Sequence, residues 1–429
     1  MTFPLLDNWI DRIRRGGPAT TPCPFCCGRI SWHDSCYIAG SPSLYGDEIL
    51  LIRRDIRRRY FQHQLTRASD GRLLDKAGVE PSGRACPQCR REFPPALLNA
   101  RRRPIFLSLV GAPRTGRTTY LAALVHALRR DARLAVAIET LDTCLELSEF
   151  AEALTRSYDP ALPPASAQLR PALGPQDQPA FAGPRPAVLY LSSAESKQTE
   201  IVVVYDNPGE HYCRSVATDP APLSLEHLRV ADGILFAIDP LAHRELTVKL
   251  EMDGVRDPQI DRLTTPDRLP SSAPGAKSGP TPVTVLDTLW QTASNKRPRG
   301  RRGVARLPIA VLLNKSDVWL DHIRRQVQHT PDRPEGVNGA LLRAIGSHGI
   351  TGNLHDWFGA CRVFPVSSIG SSQLLPVDAP QAPLARLSFP VTSSPNVAAS
   401  FLWLLAQCGS ALARTAWSDG HFSETVVQP

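Results

Sequence analysis

Two pairs of cysteines near the N-terminus have the spacing of metal ligands. Cys23 and Cys26 lie in "CPFC", and Cys86 and Cys89 lie in "CPQC". Each pair can place two thiolate sulfurs on one ion, and four such sulfurs suit tetrahedral zinc. The sequence therefore predicts a zinc site, and the metal would stabilise a module too small to fold around its own core.

The gap between the two pairs is long for a zinc ribbon. About sixty residues separate them, whereas zinc ribbons usually have about 15–20, so we expect an insertion within the module. Cys27, Cys36 and His33 are alternative candidates for one ligand position, although a lone histidine is more often a surface residue. A simpler interpretation, in which the cysteines bind no metal, accounts less well for the local spacing.

The segment "GAPRTGRTTY", residues 111–120, has the spacing of a phosphate-binding loop. Gly111, Gly116 and Thr118 fit the pattern Gly-x-x-x-x-Gly-x-Thr, and Thr119 belongs to the same loop. The glycines would let backbone amides point toward phosphates, and the Thr118 hydroxyl could bind Mg²⁺. The pattern alone is weak, because it occurs by chance in about one chain of this length in four.

A second group of polar residues follows the apolar run "TEIVVVYD". Its last residue is Asp206, and Gly209 comes three residues later. The carboxylate could hold Mg²⁺ through water, and the glycine amide could face a γ-phosphate. Considered alone, Asp-Asn-Pro-Gly would indicate an ordinary turn.

The most specific signal is the stretch "LPIAVLLNKSD", which ends a strand with Asn314, Lys315 and Asp317. The Asp317 carboxylate can accept both the N1 and N2 hydrogens of guanine, and adenine offers no matching pair of donors. Asn314 would tie the base-binding loop to the phosphate-binding loop, and the stem of Lys315 would lie over the ring. Ser367 and Ser368 end the next strand, where a backbone amide could meet guanine O6.

These groups require strands whose carboxyl ends share one edge of a sheet. The run "PIFLSLV" predicts a buried parallel strand, and the helix that follows the loop would place apolar residues on one face. The stretches "AVLYLSS" and "EIVVVYD" predict an antiparallel hairpin at one edge of the sheet. The helical residues expected on the apolar face are Leu121, Leu124, Val125 and Leu128.

In their order and their positions on strand ends, these segments resemble P-loop GTPases of the Ras and translation-factor class over roughly residues 104–415. A narrower resemblance, to the bacterial double-GTPase family, rests on the cysteine pairs in front, on "DNPGE" and on "NVAASFLWLLA". That family is proposed to act in conflict systems. The resemblance implies an α/β, three-layer P-loop NTPase fold with a mostly parallel sheet, preceded by a small zinc-binding module. It also implies GTP or GDP and Mg²⁺ as ligands and a protein partner in the same system.

Several residues bear on whether GTP is hydrolysed. Arg117 stands where the family has the loop lysine, and Glu210 stands where Ras-like proteins have a water-orienting glutamine. The guanidinium keeps the charge but changes its shape, and the carboxylate can orient water or repel the triphosphate. Arg114 can reach the phosphates in cis or point into solvent, and Ser166 is the best candidate for the first-switch residue.

Phosphoryl transfer depends on positioning and electrostatics, so these departures leave two functions open. The first is a slow GTPase switch in a bacterial conflict or regulatory system, in which Arg117, Glu210 and Arg114 take part in catalysis. The second is a non-hydrolysing GTP- or GDP-binding scaffold that recruits a partner through the zinc module.

The net charge of +8 comes largely from clusters of arginines. No aromatic stacking pattern accompanies them, which favours a solvated surface, and no recognisable module indicates nucleic-acid binding. A nucleic-acid-binding zinc protein with a vestigial nucleotide fold is therefore the weakest alternative. The clusters comprise Arg53, Arg54, Arg57, Arg58 and Arg59, then Arg101 to Arg103, then Arg297, Arg299, Arg301 and Arg302.

The domain boundaries follow from the motifs and from the distribution of the 40 prolines. We expect a zinc module over 1–100, a GTPase-like domain over 104–415 and a tail over 416–429. Pro-rich insertions would lie near 157–186 and 253–305, and the second should be poorly ordered. No run of apolar residues suggests a signal peptide or a membrane span, so a cytoplasmic protein is expected.

Overall fold

A computed structural model shows how the predicted segments are arranged. Arg114, Ser166 and Glu210 lie outside the residues it describes, as do the arginine clusters apart from Arg103 and most of the two Pro-rich insertions. The described residues are 20–41, 43–44, 61–62, 65–99, 103–113, 115–131, 134–138, 186–193, 199–207, 209, 212, 225–255, 282–296, 307–328, 354, 357–358, 360–368, 373–374, 387–388 and 396–418.

The N-terminal region, termed the cysteine module (20–99), consists of short strands and one helical turn. These are β1 (Thr20–Pro22), β2 (Arg29–Ser31), β3 (Cys36–Ile38), β4 (Phe61–Gln62), β5 (Thr66–Arg67), β6 (Leu73–Leu74), β7 (Gly83–Ala85), β8 (Glu92–Phe93) and α1 (Ala96–Asn99). Strands β1 and β2 form one antiparallel pair, β5 and β6 form another, and β4-β3-β7-β8 form an antiparallel sheet. Such short strands bury little apolar surface by themselves.

Seven further strands form one central sheet. They are β9 (Ile105–Gly111), β10 (Leu134–Ile138), β11 (Pro186–Ser193), β12 (Thr199–Asp206), β13 (Gly233–Ile238), β14 (Ile309–Leu313) and β15 (Cys361–Pro365). Their order is β10-β11-β12-β9-β13-β14-β15, and all pairs from β12 to β15 are parallel. The inner strands are almost continuously apolar because both faces of the sheet are covered.

Helices connect and cover these strands. They are α2 (Arg117–Arg130), α3 (His227–Val230), α4 (Arg244–Met252), α5 (Pro282–Lys296), α6 (Ser316–Gln328), α7 (Val397–Gln407) and α8 (Ala411–Ser418). A 3-10 turn spans Pro240–Ala242, and β16 (Gln373–Leu374) pairs with β17 (Leu387–Ser388). Among the described residues, no helix has the length and apolar character needed to cross a membrane.

The sheet is the middle layer of three. Helices α2, α7 and α8 cover one face, where residues such as Leu107 and Leu124 share a core with Phe401. On the opposite face, α4, α5 and α6 cover β13 and β14. The β9, β11 and β12 part of that face is covered by the cysteine module, so that Phe106 and Val203 pack in one core with residues of the cysteine pairs.

This architecture confirms the predicted α/β fold with its mostly parallel sheet. Two expectations need correction. Strands β11 and β12 form the predicted antiparallel hairpin, but β10 pairs with the outer side of β11 and occupies the edge position. Residues 282–296, expected within a poorly ordered insertion, form helix α5, because its buried Val285, Leu286 and Leu289 complete the core beside β13 and β14.

Candidate functional site

The four cysteines of the two predicted pairs converge on one point. The Sγ atoms of Cys23 and Cys89 are 3.8 Å apart, those of Cys26 and Cys86 are 3.7 Å apart, and all four lie within 4.8 Å of one another. Sulfurs placed tetrahedrally about 2.3 Å from zinc would be about 3.8 Å apart, whereas a disulfide requires about 2.05 Å. The cluster therefore fits a zinc ion and contains no disulfide.

The two cysteine pairs have the same local backbone. Cys27 N donates to Cys23 O at 3.0 Å, and Arg90 N donates to Cys86 O at 2.9 Å. Cys27 and Arg90 have left-handed φ angles of 58° and 59°. In each pair an amide two residues further along donates to the first sulfur at 3.4 Å, which favours the thiolate form that binds metal.

The alternative ligands lie outside this cluster. Burial raises the pKa of Cys27 to about 12, so its thiol stays neutral. Cys36 instead contacts Arg90, with 2.6 Å between Sγ and Nη1, and His33 is exposed. Cys23, Cys26, Cys86 and Cys89 are thus the set that could hold zinc.

The cysteine module contacts the end of β12 directly. Cys27 Sγ lies 3.9 Å from the hydroxyl of Tyr205, and Arg229 Nη2 donates to the carbonyl of Cys27 at 3.1 Å. Tyr205 is fully buried and immediately precedes Asp206. The four-cysteine cluster therefore belongs to a module that is packed behind the strand carrying a predicted Mg²⁺-binding carboxylate.

The predicted phosphate-binding loop connects β9 to α2, as the sequence indicated. Gly116 precedes the helix with a φ of +79°, a conformation that glycine adopts without strain. A Cβ at this position would also lie 2.5 Å from Asn314 Nδ2, so the glycine allows two loops to approach each other. Gly111 ends β9, and Thr119 lies in the first turn of α2.

The family resemblance implies that the segment beginning at Asp206 is the second switch. Its described residues, Asp206, Asn207, Gly209 and Tyr212, are termed the second-switch segment and lie against this loop. Thr118 Oγ1 donates to Asp206 Oδ2 at 2.6 Å. A Cβ on Gly209 would lie 2.4 Å from the backbone nitrogen of Pro113, so only glycine fits there without displacing the backbone. Thr118 and Asp206, each expected to bind Mg²⁺, therefore lie in direct contact.

Arg117 does not extend freely into solvent. Its side chain is 9% exposed, and Nη1 donates to the carbonyl of Asn207 at 2.5 Å. The guanidinium carbon lies 5.8 Å from the centre of the Tyr212 ring. Both contacts are with the second-switch segment, so the residue in the lysine position links the phosphate-binding loop to that segment.

A buried chain of polar groups lies beneath this contact. Ser108 on β9 is 2.7 Å from Nδ1 of His227, and Nε2 of the same ring is 3.3 Å from the Tyr212 hydroxyl. Burial raises the pKa of Tyr212, which keeps the phenol protonated. The second-switch segment is therefore anchored to the loop strand by side chains as well as by Arg117.

The loops predicted to bind the base are joined by hydrogen bonds to each other and to the predicted phosphate-binding loop. Asn314 Nδ2 donates to Thr115 O at 2.7 Å, and Ser368 Oγ donates to Asn314 Oδ1 at 3.1 Å. Ser367 Oγ donates to Asp317 Oδ1 at 2.8 Å. The structure thus brings the ends of β14 and β15 together beside the loop.

Lys315 has a left-handed φ of 57°, and its ammonium forms a 2.6 Å ion pair with Asp239 Oδ2. Sequence analysis did not single out Asp239. It directly follows the buried strand β13, and Asp206 is the last residue of β12, so the same pattern, a carboxylate at the end of an apolar run, could have identified it.

The strand order and the loop-to-helix junction define a P-loop GTPase fold. Residues 105–347 match the model of the Double-GTPase 2 family, and the chain belongs to that family. Membership supports the binding of a guanine nucleotide. No relative was found among curated proteins.

Three solved structures are similar to this chain. The signal recognition particle receptor SRb-GTP/SRX complex from Chaetomium thermophilum is 12% identical with a TM-score of 0.25, over 63% of this chain and 93% of that one. Bacterial selenocysteine-specific elongation factor EF-Sec is 10% identical with a TM-score of 0.24, and the match covers 62% of this chain and 26% of that one. The GTP-bound Ski7 GTPase-like domain of S. cerevisiae is 13% identical with a TM-score of 0.26, and the match covers 71% of this chain and 50% of that one.

Proposed function

We propose that this protein is a guanine-nucleotide switch that binds GTP and GDP at the carboxyl ends of β9, β12, β14 and β15 and hydrolyses GTP slowly. The observation that carries the proposal is the hydrogen bond from Asn314 to the carbonyl of Thr115, 2.7 Å long. It joins the loop expected to bind the base to the loop expected to bind the phosphates. A nucleotide would span these two joined loops.

Guanine selectivity is assigned to Asp317. Its carboxylate would accept the N1 and N2 hydrogens of guanine, and the hydrogen bond from Ser367 fixes one of its oxygens at 2.8 Å. Since a charged acceptor left unpaired in a pocket is costly, adenine would be disfavoured as well as unrecognised. The amide nitrogens near Ser367 and Ser368 would close the pocket around O6.

Phosphates and Mg²⁺ are assigned to the opposite end of the site. Gly111 to Thr119 would surround the phosphates with backbone amides at the positive end of α2. The Thr118 hydroxyl and the Asp206 carboxylate, which contact each other at 2.6 Å, would hold Mg²⁺ directly or through water. Gly209 would present its amide to the γ-phosphate.

Arg117 supports a second candidate function. Because its guanidinium is bound to the Asn207 carbonyl at 2.5 Å, it is committed to the second-switch segment in this conformation. A protein that keeps this contact with nucleotide bound would lack a cation between the β- and γ-phosphates and would hydrolyse GTP poorly or not at all. That protein would be a scaffold whose zinc module recruits a partner.

The four-cysteine cluster would hold a structural zinc ion that completes the core behind β12. The burial of Cys23, Cys86 and Cys89 and the presence of four protein ligands support a structural rather than a catalytic metal. A cytoplasmic location, a protein partner and a place in a bacterial conflict or regulatory system are supported by the sequence and the family resemblance.

Nucleotide binding and single-turnover GTP hydrolysis, measured on wild type and Arg117→Lys, test the proposal. We expect the wild type to prefer GDP and GTP over ADP and ATP and to cleave GTP slowly. The lysine should raise the cleavage rate about tenfold or more, which corresponds to about 1.4 kcal/mol of barrier. Arg129→Lys, the same change in the exposed last turn of α2, is the control and should alter neither property.

The two candidates predict different outcomes of this experiment. Slow cleavage by the wild type supports the switch. Cleavage only after lysine is introduced supports the scaffold, since binding would then be separate from hydrolysis. Equal affinity for guanine and adenine nucleotides would overturn both.

A further inference from the structure

Asp239 and Lys315 form the most buried ion pair at the candidate nucleotide site among the described residues. Their side chains are 7% and 23% exposed, and Oδ2 lies 2.6 Å from Nζ. The partners come from different strand ends, since Asp239 follows β13 and Lys315 lies after β14. The pair therefore crosses the carboxyl edge of the sheet.

Asp239 is itself held rigidly. Its second oxygen, Oδ1, accepts a hydrogen bond from Leu241 N at 3.0 Å at the start of the 3-10 turn. With one oxygen bound to the backbone and the other to Lys315, the carboxylate has a defined orientation. A long lysine side chain that ends on such a fixed anchor loses its freedom before any ligand binds.

The position of the anchor determines where the lysine stem runs. In the sheet order, β13 lies between β9, which leads to the phosphate-binding loop, and β14, which leads to the base-binding loop. The side chain of Lys315 therefore extends back from the base-binding loop toward the phosphate side.

We propose that Asp239 is a positioning residue for guanine-nucleotide binding, which acts by holding the stem of Lys315 across the place of the base. This inference rests on the proposed function, because it concerns the same site. Asp239 would not touch the nucleotide. Its effect would be to present a preformed apolar surface of methylene groups, so that the nucleotide need not order the lysine.

The test is a double-mutant cycle on the full chain, with fluorescent GDP as the probe. The variants are Asp239→Asn, Lys315→Met and the two together. Each single change should weaken GDP binding about tenfold, which equals about 1.4 kcal/mol. The double variant should bind about as weakly as the weaker single variant, because both changes remove one shared interaction.

Asp232→Asn is a matched control at the opposite end of β13. Asp232 also accepts one backbone amide, that of Phe106 at 2.9 Å, and pairs with one cation, that of Arg103 at 3.0 Å. A strand of this length places it roughly 20 Å from Asp239. Thermal stability should fall in both aspartate variants, but only Asp239→Asn should lose affinity for GDP.

The outcomes separate this inference from the proposed function. Absence of GDP binding by the wild type would overturn the function itself. If the wild type binds GDP normally, two results would overturn only the role of Asp239. One is an unchanged affinity in Asp239→Asn, and the other is an additive loss of about a hundredfold in the double variant. If Asp239→Asn does not fold, the cycle is completed with Asp239→Glu, which should keep the ion pair and bind within about threefold of wild type.

Discussion

The two ends of the candidate nucleotide site hold their key side chains in different ways. At the base-binding end, defined by Asn314, Asp317, Ser367 and Ser368, the polar side chains bond to one another and to the phosphate-binding loop. At the phosphate-binding end, Arg117 is instead bound to the carbonyl of Asn207 in the second-switch segment.

This difference separates recognition from hydrolysis. Preorganised acceptors favour a particular base before it arrives. A cation bound to a backbone carbonyl must exchange that partner before it can reach a phosphate. We therefore expect changes at the base-binding end to alter which nucleotide binds, and changes at the phosphate-binding end to alter what happens to it.

The largest effect should come from Asp317→Asn. The amide of asparagine would place an N–H donor where the carboxylate accepted a hydrogen of guanine, so that two donors face each other. We expect GDP binding to weaken by about a hundredfold, or about 2.7 kcal/mol. Xanthosine diphosphate, which offers a carbonyl at that position, should bind better than GDP. Isothermal titration calorimetry with GDP and with xanthosine diphosphate measures this change in preference.

Asp321→Asn makes the same change one turn further along α6, at an exposed position, and should bind GDP as the wild type does. A variant at Asp317 that kept its preference for guanine would show that the base-binding end has been assigned wrongly.

A smaller effect on affinity should follow from removal of zinc, by chelation or by Cys26→Ser. The cysteine module supports β12, so its loss should lower the unfolding midpoint by about 10 °C and weaken GDP binding more than tenfold. The preference for GDP over ADP should persist, because the core that the module shares with the sheet, among the described residues, contains residues of β9, β11 and β12 but none of β14 or β15. Thermal unfolding and paired GDP and ADP titrations distinguish these effects.

Cys408→Ser, outside the four-cysteine cluster, serves as the comparison. Zinc-free protein with unchanged stability would contradict a structural role for the metal.

Thr118→Ala tests the phosphate-binding end alone. The lost hydroxyl should weaken GDP binding about tenfold when Mg²⁺ is present and leave it unchanged when Mg²⁺ is omitted from the buffer. Thr415→Ala, an exposed helical threonine on α8, controls for helix propensity. An equal loss with and without Mg²⁺ would remove Thr118 from the metal site.

The smallest effect should come from Ser367→Ala. The hydrogen bond that orients Asp317 is lost, but the carboxylate itself remains to bind guanine, so we expect only about a threefold weaker affinity for GDP, or about 0.65 kcal/mol. The loss should be absent in an Asp317→Ala background, where no carboxylate remains to be oriented. A titration of all three variants shows whether Ser367 acts through Asp317.

Much of the fold could be predicted because its strands are uninterrupted apolar runs. Runs such as "PIFLSLV" and "LPIAVLL" are stable mainly in the middle of a sheet that is covered on both faces. The approach of Thr118 to Asp206 also follows from the pattern, since Asp206 ends β12 and Thr118 lies at the loop-to-helix junction that follows β9, the neighbouring parallel strand. The short edge strand β10 was missed because its exposed alternate residues give a weak signal.

The remaining features depend on contacts between distant parts of the chain. Nothing local to Tyr205 indicates that its ring meets a cysteine module rather than a helix. The orientation of Arg117 is likewise decided by a carbonyl on another strand, which no spacing within the loop encodes. Asp239 could have been found from the sequence, but its ion pair with Lys315 could not.

The packing of Cys27 against Tyr205 has a consequence for the order of folding. These residues are 178 positions apart in the chain, so the cysteine module is synthesised long before the strand that covers it. At roughly 5–20 residues per second, it waits roughly 10–35 s with its apolar face uncovered. Early capture of zinc would protect the nascent module during that interval, and a shortage of the metal would appear first as aggregation during synthesis.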